Sequence, residues 1–123
     1  MLLPVLVAQM LTAGMLTWTG ARAQGDPFTA MKGDLRRLVS ANEVYHAKNK
    51  RYASALSALP GYQASSGVTI TIAAATATGW SATAVSGSAA GKSCVIYVGK
   101  VGAPPKTAGA GLTGAEAVPV CDR

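Results

Sequence analysis

The chain has 123 residues, half of them hydrophobic and only 13% charged, with 14 glycines and a formal net charge of +6. That length is enough for one domain with a small core, and a single domain is expected. The single histidine excludes metal sites built on paired histidines within one chain.

Residues 2–16 form an uncharged apolar run that ends in Ala21-Arg22-Ala23, with a polar stretch immediately behind it. Signal peptidase needs small side chains one and three residues before the cut, so Ala21 and Ala23 read as the cleavage motif of a secretory signal. Pro4, Gln9, Thr12, Gly14 and Thr17 dilute the run and make it a mediocre bilayer span. Its usual basic flank is missing, since the first cation is Arg22; a retained inner-membrane anchor, or a start further upstream, is the alternative. The expected organisation is a signal peptide or apolar anchor over 1–23 and one domain over 24–123, exported to the periplasm or beyond the cell.

In an exported chain, the even cysteine count argues for a disulfide between Cys94 and Cys121, worth roughly 3 to 4 kcal/mol by chain entropy. Losing Arg22 leaves ten basic and five acidic side chains. The resulting positive balance suits anionic surfaces, including nucleic acid, lipopolysaccharide and lipid headgroups.

Asp26-Pro27 is a helix start signal, with Asp as N-cap and Pro at the first helical position. Phe28, Met31, Leu35, Leu38, Asn42 and Tyr45 then recur at spacings of three and four, which places them on one helical stripe with Val39 at its edge. Lys32, Arg36, Arg37, Glu43 and Lys48 fall away from it. The pattern ends at Lys48-Asn49-Lys50-Arg51, where cations favour the negative end of the helix dipole. Residues 53–67 read as a loop holding a short helical turn. The period then changes to two: Val68, Ile70 and Ile72 predict a first strand, Ala75 to Gly79 a turn, Trp80 to Val85 a second strand and Ser93 to Val98 a third. Short connections make these an antiparallel meander, and one helix lying across it gives an α+β layer pair. The Gly-, Ala-, Pro- and Thr-rich stretch from Gly99 to Gly114 cannot form its own core, so Cys121 is expected to return it to the sheet, with Val118 and Val120 adding an edge strand.

Ser86-Gly87-Ser88-Ala89-Ala90-Gly91-Lys92-Ser93 invites a phosphate-loop reading. A Walker loop needs four residues between its glycines and a helix behind it; Gly87 and Gly91 enclose three, and a strand follows. No cofactor is expected. His46 lies near the edge of the apolar stripe, no nucleophile-elbow motif accompanies it, and Glu43 suits a structural partner better than a general acid. Lys48, Lys50 and Arg51 beside Tyr45 and Tyr52 make a candidate basic patch with aromatic interleaving, against a plainer reading as a helix terminus.

Phe28-Thr29-Ala30-Met31-Lys32-Gly33-Asp34-Leu35-Arg36-Arg37-Leu38, followed by Glu43-Val44-Tyr45, Asn49 and Tyr52, resembles the head-proximal half of the long helix in type IV pilins and type II secretion pseudopilins. Ser66 to Ile70, Gly79 to Ala84, Cys94 to Gly99 and the final Cys121 are similar to that family's sheet and C-terminal disulfide loop. The resemblance covers about residues 28–121. It implies a pilin-head-like fold and a non-catalytic structural or assembly role in a fimbrium or secretion apparatus, with other pilin-like or secretion-system subunits as partners. In the family, a prepilin peptidase cuts after a glycine preceded by a basic leader, and the apolar helix behind it drives polymerisation. Here no Lys or Arg precedes Gly14 and no acidic residue follows it before Asp26. The alternative is a soluble exported binding module that uses the same fold to contact an anionic ligand, DNA or lipopolysaccharide, or an envelope partner. A membrane enters as partner only if the N-terminal segment is retained.

Overall fold

A computed structural model of the chain describes residues 25–123. The apolar run and the cleavage motif at Ala21 and Ala23 lie outside the described residues. The elements are helix α1 (Pro27–Asn49), a 3-10 turn (Leu56–Ala58) and strands β1 (Val68–Ala75), β2 (Gly79–Ser86), β3 (Cys94–Gly99) and β4 (Val120–Cys121). The strands form one antiparallel sheet in the order β1-β2-β3-β4, and α1 packs on it. This is an α+β layer pair. No helix among the described residues is long and apolar enough to cross a membrane.

Helix α1 starts where Asp26 Oδ1 accepts the Phe28 N–H at 3.0 Å, satisfying a donor that no helical carbonyl can reach. It stops at Lys50, whose left-handed backbone (φ 61°) returns its N–H to the His46 carbonyl at 2.8 Å. Its buried stripe is Met31, Leu35, Leu38 and Asn42, joined by Asp34. Phe28 and Tyr45, at the two ends of the stripe, are only half-buried. Strand alternation supplies the facing layer: Ile70, Trp80, Ala82, Ala84, Cys94 and Ile96 share one core cluster with the helix residues.

Several boundaries differ from the sequence reading, and β2 and β3 run on to Ser86 and Gly99, one residue further than expected. Strand β1 continues past Ile72 to Ala75 through a bulge between Ile72 and Ala74, and Ala75 still pairs with Trp80, so the turn shrinks to residues 76–78. The third strand starts at Cys94 rather than Ser93. Val118 is not in β4, because Pro119 has no N–H to give a ladder and pairing resumes only at Val120. At the far end of β3, Gly99 sits at φ 73°, where an added Cβ would collide with the Thr78 carbonyl.

Cys94 and Cys121 stand opposite each other in the β3–β4 pair and are joined by a disulfide. They close the 100–119 loop onto the sheet. Reduction, or a Cys94→Ser/Cys121→Ser double variant, is expected to cost about 3 kcal/mol and to lower the melting midpoint by more than about 10 °C, read by circular dichroism with and without reductant.

Candidate functional site at the helix C-terminal pole

Lys48, Lys50 and Arg51 are all exposed where α1 ends. The chain then turns so that the Tyr52 N–H donates to the Thr76 carbonyl at 2.9 Å, which seats the helix end beside the β1–β2 turn. The same turn receives the end of β3, because the Lys100 N–H donates to the Thr78 carbonyl at 3.1 Å. Lys100 therefore joins the three cations predicted from the sequence. The ion pairs among the described residues are Arg37 with Asp34 and Arg123 with Asp26, so none of these four cations is neutralised by one.

His46 and Tyr52 form the floor of this pole. His46 Nε2 lies 2.9 Å from the Ala77 carbonyl, an acceptor, so that nitrogen carries a proton and donates it. The ring stacks at 4.3 Å on Tyr52, whose hydroxyl donates to Glu43 Oε1 at 3.3 Å. Burial and the Glu43 carboxylate together push the Tyr52 hydroxyl pKa up. Glu43 is thus a structural acceptor. The other carboxylate at this end, Glu116, accepts the Gly99 N–H at 2.6 Å. Beside the pole an apolar groove of about 380 Å³ runs between the helix and the 3-10 segment, lined by Ala41, Val44, Tyr45, Lys48, Leu59 and Pro60.

Elsewhere the chemistry serves the fold. Residues 87–93 connect β2 to β3 as a hairpin loop with no helix N-terminus behind it. No three His, Cys, Asp or Glu side chains converge on a metal position among the described residues.

Two buried carboxylates escaped the sequence reading as structural centres. Asp34, 1% exposed, accepts hydrogen bonds from the Ser65 N–H at 2.9 Å and the Ser65 hydroxyl at 2.8 Å, and is paired with Arg37. Its backbone carbonyl takes the Tyr62 hydroxyl at 2.7 Å, and burial, with the Asp34 charge, pushes that hydroxyl's pKa up to about 12. A charge three residues after Met31 and four before Leu38, on the stripe itself, was the available signal. Asp122 accepts from the N–H groups of Ser93 (3.0 Å), Gly109 (2.7 Å) and Ala110 (2.7 Å). It carried no periodic signal, because its donors come from a loop.

Burial alone would raise the Asp122 pKa, but the Thr107 hydroxyl and the backbone donors of Ala110, Gly109 and Ser93 outweigh it and hold the carboxyl well below the usual range. No protein-family model matches the chain, and no curated protein matches it.

A depressed folded-state pKa gives stability that is present above the unfolded Asp value and lost as pH falls through the folded one. Acid melts from pH 6 downwards should therefore show stability declining below about pH 4. In Asp122→Asn that decline should be smaller, with the variant already less stable at neutral pH. Asn42→Ala removes the Oδ1 that accepts the Ala53 N–H at 2.8 Å and strands a buried donor; a loss of about 1 to 3 kcal/mol is expected in urea titration.

Proposed function

We propose that this chain is a non-catalytic, pilin-like or pseudopilin-like structural or assembly protein of the cell envelope. The observation that carries the reading is one amphipathic helix laid across an antiparallel meander whose C-terminal loop is closed by a disulfide. The placement of the polar groups supports it. The buried carboxylates hold loops, His46 is committed to a backbone carbonyl, and Glu43 takes the Tyr52 hydroxyl. On this reading the protein is exported and its partners are further pilin-like or secretion-system subunits.

A second reading is favoured by one observation, the gathering of Lys48, Lys50, Arg51 and Lys100 at one pole without ion-paired acids. Such a surface suits an anionic ligand, DNA or lipopolysaccharide.

The two readings separate at the native N-terminus. Mass spectrometry of the native protein should show the apolar segment retained, and fractionation should place the chain with membranes or filaments. A mature chain beginning at Gln24 and wholly soluble would overturn the first reading and favour the second. For the second, Lys48→Ala/Lys50→Ala/Arg51→Ala/Lys100→Ala should abolish binding to a DNA duplex at physiological salt and flatten the salt dependence by about 0.9 for each phosphate no longer neutralised, with the melting curve unchanged.

A further inference from the structure

Strand β1 is the first strand of the sheet and, among the described residues, has a neighbour on one side only. It is eight residues long, Val-Thr-Ile-Thr-Ile-Ala-Ala-Ala, without charge or proline. Exposed edges of this kind pair with other strands unless a charge, a proline or a covering element prevents it. The 3-10 turn packs near β1 yet, like the rest of the described residues, gives no hydrogen bond to the backbone of Ile70 or Ile72 outside the sheet ladder.

The pairing phase says which groups face the free edge. Gly87 N–H donates to the Gly67 carbonyl, so residues 67 and 87 form a hydrogen-bonded pair. In an antiparallel ladder such pairs alternate. Thr69 with Val85 and Thr71 with Thr83 therefore bond inward, and Val68, Ile70 and Ile72 aim their backbone groups outward. Of these, Val68 already gives its N–H to Ser65 at 3.0 Å. Ile70 and Ile72 remain.

We propose that two copies of this chain pair antiparallel through β1 about a two-fold axis at Thr71, joining two four-stranded sheets into one. Ile70 of each copy then bonds Ile72 of the other, which uses both free residues twice, and the two Thr71 side chains meet in a non-hydrogen-bonded pair on the exposed face. Threonines so placed are a favourable cross-strand pair. The register centred on Ile70 is poorer because it would call on the occupied N–H of Val68.

Charge selects a second copy as the occupant. Residues 54–91 contain no Lys, Arg, Asp, Glu or His, and Arg37, which reaches the Gln63 carbonyl on this side, is paired with Asp34, so the β1 flank carries little net charge on a strongly basic molecule. Strand β1 ends beside the basic pole, since the Tyr52 N–H meets the Thr76 carbonyl just beyond it. Antiparallel pairing sends the two poles to opposite ends. The contact is isologous and closes on itself. It is independent of the pilin-like reading.

The test is the oligomeric state of the native chain by sedimentation equilibrium, with Thr71→Lys and Thr71→Glu variants checked for native circular dichroism. The wild type should be a dimer, and each variant alone a monomer, because like charges meet at the axis. An equimolar mixture of the two variants should recover the dimer. Amide exchange on the wild type needs no variant: Ile70 and Ile72 should become protected as concentration rises. A monomeric wild type, a dimer that survives in Thr71→Lys, a mixture that stays monomeric, or a dimer whose Ile70 and Ile72 amides exchange as in dilute solution would each overturn the proposal. The last would transfer the contact to another surface.

Discussion

A carboxylate withdrawn from water persists as an anion only where hydrogen-bond donors replace its hydration shell, and Asp122 meets that condition almost entirely from backbone. Ser93, Gly109 and Ala110 converge on it, and it follows Cys121, whose disulfide reaches Cys94, the neighbour of Ser93. A covalent bond between Cys94 and Cys121 and charge-assisted hydrogen bonds on the residues next to them, Ser93 and Asp122, thus act side by side at the ends of β3 and β4. The 100–119 loop has little apolar side chain to bury, so its course depends on this polar centre. Ser93 adds a third tie, its hydroxyl accepting the Ala108 N–H at 2.8 Å.

Asp34 performs the matching task on the other long connection. It takes both donors of Ser65, its own carbonyl takes Tyr62, and Arg37 bridges it to the Gln63 carbonyl at 3.1 Å. Arg37 also lies over the Tyr62 ring, 5.6 Å from its centre. Asn42 does the same nearer the helix end, holding Ala53. The face of α1 is therefore two surfaces in one: leucine and methionine against the sheet, Asp34 and Asn42 against the returning chain. Apolar burial positions the helix on the sheet, and buried polar groups position the loops around it.

The regular elements were legible because they repeat. Met31, Leu35 and Leu38 at helical spacing, and Val68, Ile70 and Ile72 in alternation, each report a face, and the structure buries Met31, Leu35, Leu38 and Ile70. The Asp26 cap and the Cys94–Cys121 bond were legible because each has few alternative uses. What was not legible is non-periodic and long-range. Lys100 joins Lys48, Lys50 and Arg51 only because two separate backbone bonds bring the helix end and the end of β3 to the same hairpin turn. Asp122 looks like an ordinary terminal acid until Gly109 and Ala110 are folded over it. The extension of β1 to Ala75 escaped for a different reason: alanine is a weak strand former, and it is pairing with β2 that holds it extended.

The surface follows from this division of labour. Hydrogen bonds from neutral donors leave Glu43 and Glu116 charged, but Asp34 and Asp26 are spent on arginines and Asp122 lies inside, so at the helix C-terminal pole Lys48, Lys50, Arg51 and Lys100 outnumber the two carboxylates. Repulsion between copies is therefore strongest at the helix C-terminal pole and weakest along residues 54–91. The two sheet edges differ correspondingly. Strand β4 has two residues and lies within the disulfide clasp, whereas β1 offers eight uncharged ones. With one usable edge among the described residues, the sheet can form a closed pair through it but cannot propagate continuously, because the second edge needed for growth is too short to accept a strand. Any longer assembly of this chain must therefore draw on contacts other than sheet extension.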